Sequence, residues 1–155
     1  LWSKAESNGR TLKAHAGEFG PAANVREAIE KLNVRRIQHG TRAFEDDSLV
    51  DLLKEVDATL DLCPISNLKL QVVPSMPEHP VRLFFDQGVR CTLSTDDTFS
   101  FGNTLTDEYE ALAEYLAFTP AELSQIAKNG FEVADIEDDL RNQALIDIDQ
   151  LVSAG

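Results

Sequence analysis

The chain has 155 residues, 43% of them hydrophobic and 26% charged, and a formal net charge of −13. That length can bury the core of one domain, and the acidic excess speaks against nucleic acid or an anionic membrane surface as a partner. Two cysteines make no disulfide framework and suit a reducing cytosol, and no apolar run of about 20 residues is there to span a bilayer.

In chain order, Leu1-Trp2-Ser3-Lys4-Ala5-Glu6 has no initiator methionine and no signal-peptide layout. It reads as the last turns of a helix ended by Asn8-Gly9, so the chain is expected to be a piece of something longer. Thr11 to His15 is a short strand. Pro21 suits a first helical position, and Val25, Ile29 and Leu32 then mark one helix face. Val34 to His39 is the second strand. Asp46-Asp47-Ser48 caps a helix that turns Leu49, Leu52, Leu53 and Val56 inward. Thr59 to Cys63 is the third strand, broken by Pro64, with a proline-rich loop to Pro77. Pro80 starts a short helix closed by Gly88, and Val89 to Leu93 is the fourth strand. Thr106-Asp107-Glu108 opens a helix carrying Tyr109, Leu112, Ala113 and Leu116. Thr119-Pro120-Ala121-Glu122 is a capping box for another helix, which runs to Asn129-Gly130. A last amphipathic helix covers about Glu137 to Val152.

Strand and helix alternate four times before the extra helices, which means parallel strands joined by helical crossovers. No GxGxxG and no GxxxxGK[ST] is present, so the dinucleotide and P-loop fingerprints are absent. A complete (β/α)8 barrel takes about 250 residues. The expected fold is α/β: residues 1–155 as one segment, half of a TIM barrel with about four βα units, plus C-terminal helices.

Three of the four strands end on residues that can bind a metal or move a proton: His15-Ala16-Gly17-Glu18, His39-Gly40 and Ser94-Thr95-Asp96-Asp97. Strand C-termini are where such folds place their chemistry. Each tip alone also has a plain structural reading. His15 and His39 fit core histidines bonded to a backbone carbonyl, Glu18 a helix N-terminal acid, and Asp96-Asp97 a turn or helix cap. Adjacent carboxylates repel unless a cation or donors hold them, which gives Asp96-Asp97 its interest. His79, in the loop before Pro80, reads as a surface residue and Cys63 as core packing. Phe99 and Phe101 fit either rim packing or an apolar wall over a flat ligand.

Taken together, these tips and Cys63-Pro64-Ile65-Ser66-Asn67 resemble the adenosine/adenine deaminase family, from Lys13 to about Ala134. The resemblance implies the second half of a zinc-dependent amidohydrolase barrel. It makes His15 and Asp96 zinc ligands and Glu18 the acid that protonates a purine ring nitrogen. His39 becomes the histidine that orients the attacking water and helps deprotonate it, sharing the water's proton with a catalytic Asp96, and Asp97 a substrate-binding residue that accepts a hydrogen bond from the purine. Cytidine-type zinc deaminases use H-x-E and P-C-x-x-C; this chain has H-x-x-E and a single Cys-Pro.

Two departures stand out. The family's first strand carries a His-x-His that supplies two more zinc ligands, and nothing here matches it: the histidines are His15, His39 and His79. Thr98 follows the paired aspartates where many relatives have proline. The expected function is therefore hydrolytic deamination of adenosine with one Zn2+ per site, two of its ligands coming from an absent N-terminal half. Adenine is the runner-up substrate, because Ser66-Asn67-Leu68-Lys69-Leu70 also looks like adenine deaminases. The other alternative is a non-catalytic half-barrel that pairs with another half or with itself. The expected partner is a small purine nucleoside or base, with no nucleic acid and no membrane, in the cytoplasm.

Overall fold

A computed structural model describes residues 2–154. After helix α1 (Trp2–Ser7) the chain alternates: β1 (Lys13–Ala16), α2 (Ala22–Leu32), β2 (Arg36–His39), α3 (Asp47–Glu55), β3 (Thr59–Leu62). Then come α4 (Pro64–Lys69), α5 (Val81–Asp86), β4 (Arg90–Leu93), α6 (Thr98–Phe101), α7 (Leu105–Leu116), α8 (Pro120–Glu132) and α9 (Asp138–Ala154). Leu1, part of the expected first helix, lies outside the described residues.

The four strands form one parallel sheet in the order β1-β2-β3-β4. Spatial order equal to chain order is the mark of a singly wound sheet, because right-handed crossovers of constant direction put every helix on one face. A doubly wound sheet would reverse its order part-way. Four βα units wound this way are half of a (β/α)8 barrel, as expected.

Alternation along each strand sorts the side chains. Ile37, Leu60, Leu62 and Cys91 join the buried cluster with Val25 and Ile29 of α2, Leu49 and Leu53 of α3, Phe84 of α5 and Ile126 of α8. Burying each large side chain of this kind contributes about 1.5–3 kcal/mol. The opposite face, which lines the inside of a barrel, is polar. There Asp61 accepts both 2.8 Å hydrogen bonds from Arg36 Nη2, faces Lys13 Nζ at 3.6 Å and accepts the Thr92 hydroxyl. This cluster is the floor beneath the strand tips.

Some boundaries shift for local reasons. Pro21 is the N-cap of α2 rather than its first residue, and α7 begins at Leu105 because Thr104, not Thr106, forms the capping box with Asp107. The Thr119–Glu122 capping box stands as expected. Ala113 is exposed and Ala111 buried instead, a small rotation of the inward face of α7.

Candidate active site

The tips of β1 and β2 are stitched by backbone. Gly40 N–H donates to Ala16 O at 2.9 Å and Arg42 N–H to Gly17 O at 2.8 Å. Gly17 and Gly40 both sit at positive φ, 68° and 66°. A Cβ on Gly17 would lie 2.5 Å from Val25 Cγ2, and one on Gly40 2.6 Å from Leu60 Cδ2. Neither position has room for a side chain, and this close approach is what sets the two histidines side by side.

His39 itself has φ 65°, and Asp96 has φ 57°. Left-handed backbone is uncommon for residues other than glycine, and it gathers at functional sites. By strand alternation His39 would share the helix-facing side of Ile37. The left-handed turn brings it to the site instead, where its ring packs against His15 with centroids 5.1 Å apart. His39 Nε2 lies 3.5 Å from Glu18 Oε2. The candidate ligand atoms of His15, Glu18 and His39 all lie within 4.8 Å of one another, and so do those of His39, Cys63 and Asp96. His39 belongs to both groups, so the three strand tips singled out in the sequence meet at one place.

The electrostatics differ from residue to residue. Burial raises the Glu18 carboxyl above its ordinary range, helped by the charge of Asp96 and opposed by His15. Burial lowers the His39 imidazole, with Asp96 opposing. Burial pushes the Cys63 thiol up to about 12, so it packs as a neutral thiol, as expected. Asp97 is exposed and caps α6: it accepts from the backbone of Phe99 and Ser100 and from the Ser100 hydroxyl, which above all holds its carboxyl below the ordinary value. The cap reading of Asp97 is therefore satisfied locally. Phe99, 97% exposed, is not packed on any rim among the described residues.

The segment after β3 turns out to be a brace. Ser66 Oγ donates to Asp96 Oδ2 at 2.7 Å, and Asn67 Nδ2 lies 3.3 Å from His39 Nδ1. Ile65 N–H donates to Glu108 Oε2 at 3.1 Å, while Asn103 Nδ2 donates both to Glu108 Oε1 at 2.7 Å and to Thr95 O at 3.2 Å. Ser66, Asn67, Thr41, Asn103 and Glu108 carry roles that the sequence did not reveal, although Ser66 and Asn67 stood in a recognised motif. His79 corrects the expectation: it is 2% exposed, because the Met76–Glu78 turn that leads into it packs on α4 and α7 and its ring finds Asn67 Oδ1 at 3.2 Å.

Glu108 yields a test of its own. Fully buried, its carboxyl is pushed from 4.5 up to about 7 by burial, against the pull of Ile65 N–H and Asn103. A raised folded-state pKa means that the native form holds its proton longer than the unfolded chain. Its contribution is complete at low pH and is lost as pH climbs through about 7. In urea unfolding, Glu108→Gln is expected to gain about 3 kcal/mol on the wild type between about pH 4.5 and pH 8. Parallel stability curves for the two proteins would reject this.

The protein-family model for adenosine deaminase matches residues 1–151. The chain belongs to the adenosine deaminase family. It is 42% identical over 131 residues to an adenine deaminase of Zymomonas mobilis, covering 84% of this chain and 39% of that one. It is 38% identical over 154 residues to an adenine deaminase of Cupriavidus metallidurans, covering 99% and 44%. Among solved structures, adenine deaminase from Arthrobacter aurescens superposes with a TM-score of 0.93 at 32% identity, covering 99% of this chain and 47% of that one. An amidohydrolase from Burkholderia ambifaria with bound Zn gives a TM-score of 0.86 at 27% identity, covering 99% and 44%. The chain thus spans less than half the length of the relatives it matches. Among the described residues no helix is long and apolar enough to cross a membrane.

Proposed function

We propose that this chain is half of a zinc-dependent barrel that deaminates a 6-aminopurine by hydrolysis, with adenine as substrate. The observation that carries the reading is the convergence of His15, Glu18, His39 and Asp96 at the carboxyl end of one parallel sheet. Adenine now stands ahead of adenosine, because the similar proteins are named adenine deaminases. An imidazole at the tip of β1 and a carboxylate at the tip of β4, brought to one place around His39, are a donor set that suits zinc. His15 and Asp96 would hold it, with two further ligands from the other half of the barrel. Zinc, when bound, acts as a Lewis acid that lowers the pKa of water towards 7.

The rest is the work of this chain. His39 orients the attacking water from the buried side. The Asp96 carboxylate, steadied by Ser66, takes up the water's proton. Glu18, with its raised pKa, holds a proton to give to the ring nitrogen beside the carbon under attack, which absorbs the charge developing there. Asp96 passes the proton it took from water to the amino group, the carbon–nitrogen bond breaks and ammonia leaves, and the hydroxyl proton released as the carbonyl forms restores the proton on Glu18. Asp97 would receive a hydrogen bond from the purine on the remaining lone pair of Oδ2, the oxygen that accepts only the Ser100 hydroxyl.

The test is ammonia release by the complete zinc-loaded barrel that contains this chain, offered adenine and adenosine in parallel. Adenine is expected to turn over with the higher kcat/KM. Preference for adenosine would reverse the substrate assignment, and no release from either would reject the deaminase reading.

A further inference from the structure

His39 is gripped from behind by a line of buried side chains. Its Nδ1 lies 3.3 Å from Asn67 Nδ2. Asn67 Oδ1 accepts the Thr41 hydroxyl at 2.9 Å and lies 3.2 Å from His79 Nε2. At the far end, the backbone N–H of Val81 donates to His79 Nδ1 at 3.2 Å. His39, Thr41, Asn67 and His79 are all at most 2% exposed, so this line of bonds runs through the interior without solvent.

The line has one consistent direction. A backbone N–H can only donate, so His79 Nδ1 accepts and a neutral His79 carries its proton on Nε2. Burial holds the His79 imidazole down at about 3, which keeps that ring neutral. The Asn67 atom facing His79 Nε2–H must then be the carbonyl oxygen, and the amide NH2 faces His39. An amide NH2 can only donate, so His39 Nδ1 accepts and its proton sits on Nε2, the nitrogen that faces Glu18. Because every partner is buried, reversing any one bond would strand a polar group without a mate.

We propose that His79 is a positioning residue which, through Asn67, fixes the ring orientation and the Nε2–H tautomer of His39. His39 then meets the attacking water as a hydrogen-bond donor, and the uptake of the water's proton falls to Asp96. The tautomer is a property of the fold. Only its use in turnover rests on the deaminase reading.

Long-range 1H–15N NMR of the complete protein with 15N-labelled histidine reads each ring nitrogen directly. His39 and His79 are both expected to show protonated Nε2 and bare Nδ1. Asn67→Asp replaces the donor facing His39 with an acceptor and is expected to move the His39 proton to Nδ1. A wild-type His39 protonated on Nδ1, or an Asn67→Asp protein with the wild-type tautomer, overturns the proposal. In kinetics, His79→Phe is expected to lower kcat about 10- to 100-fold with little change in KM. His79→Gln, which keeps an N–H donor towards Asn67, is expected to restore most of that rate. Equal losses in the two variants would mean simple packing and would also overturn the proposal. The expected tautomer in a protein that releases no ammonia would uphold this inference and sink the deaminase reading; the wrong tautomer in an active enzyme would do the reverse.

Discussion

Glu18→Gln is expected to cost the complete enzyme about 10²- to 10⁴-fold in turnover, the usual weight of a positioned general acid, while leaving its zinc content unchanged. The side chain of Glu18 is 14% exposed, and its carboxylate stands 3.5 Å from His39 Nε2. Glutamine preserves the shape and an N–H, so substrate binding should change little. What it lacks is a proton it can release.

The pH profile sharpens this expectation. Burial, then the charge of Asp96, raises the Glu18 pKa, so the carboxyl keeps its proton further towards neutrality than an ordinary glutamate. Activity that needs the protonated form is present at lower pH and falls as pH rises through that raised value. In the glutamine variant this alkaline limb is expected to vanish from kcat along with most of the rate. Steady-state kinetics across the pH range reads both effects. An unchanged rate, or a retained limb, would remove Glu18 from the acid role.

The parts of this fold legible in the sequence are those written in local pattern. The four strands announced themselves through short apolar runs, and β3 and β4 lie within a residue or two of the expected Thr59–Cys63 and Val89–Leu93. The Thr119 capping box was visible because its donors and acceptors sit three residues apart in the chain. The strand tips could be named because parallel topology sends every carboxyl end to one side. What stayed hidden depends on long-range contact. His79 looked exposed between Glu78 and Pro80, yet its partner Asn67 lies twelve residues back and the turn that leads into it packs on α4 and α7. Glu108 looked like a helix-opening acid, but its carboxyl turns inward to receive Ile65 N–H from another element. Pro64 read as the end of a strand, where it in fact starts α4, the short helix that carries Ser66 and Asn67 to their partners. No periodicity encodes such pairings. They follow from where the sheet places each tip.

Asp96→Ala is expected to strip most of the zinc from the complete protein, measured by elemental analysis after gel filtration. Asp96 gives up one oxygen to Ser66 at 2.7 Å, and its left-handed backbone holds the carboxylate within 4.8 Å of His39. With His15 and Asp96 as this chain's two ligands and two more from the other half of the barrel, the loss of the carboxylate removes one of four donors and the anionic one of this chain's pair. Ser66→Ala leaves that carboxylate in place but unbraced, and it is expected to weaken zinc about 10- to 100-fold, the usual effect of losing a group that orients a ligand. The order of the two losses carries the argument. If Ser66 served only to pack α4, its removal would lower stability without touching metal affinity. If Asp96 served only to cap a turn, its alanine variant would keep its zinc. Glu18→Gln, which holds its metal under the same assay, guards against reading general unfolding as ligand loss. A normal metal content in Asp96→Ala would take Asp96 out of the ligand set and leave His15 as the only ligand this chain supplies.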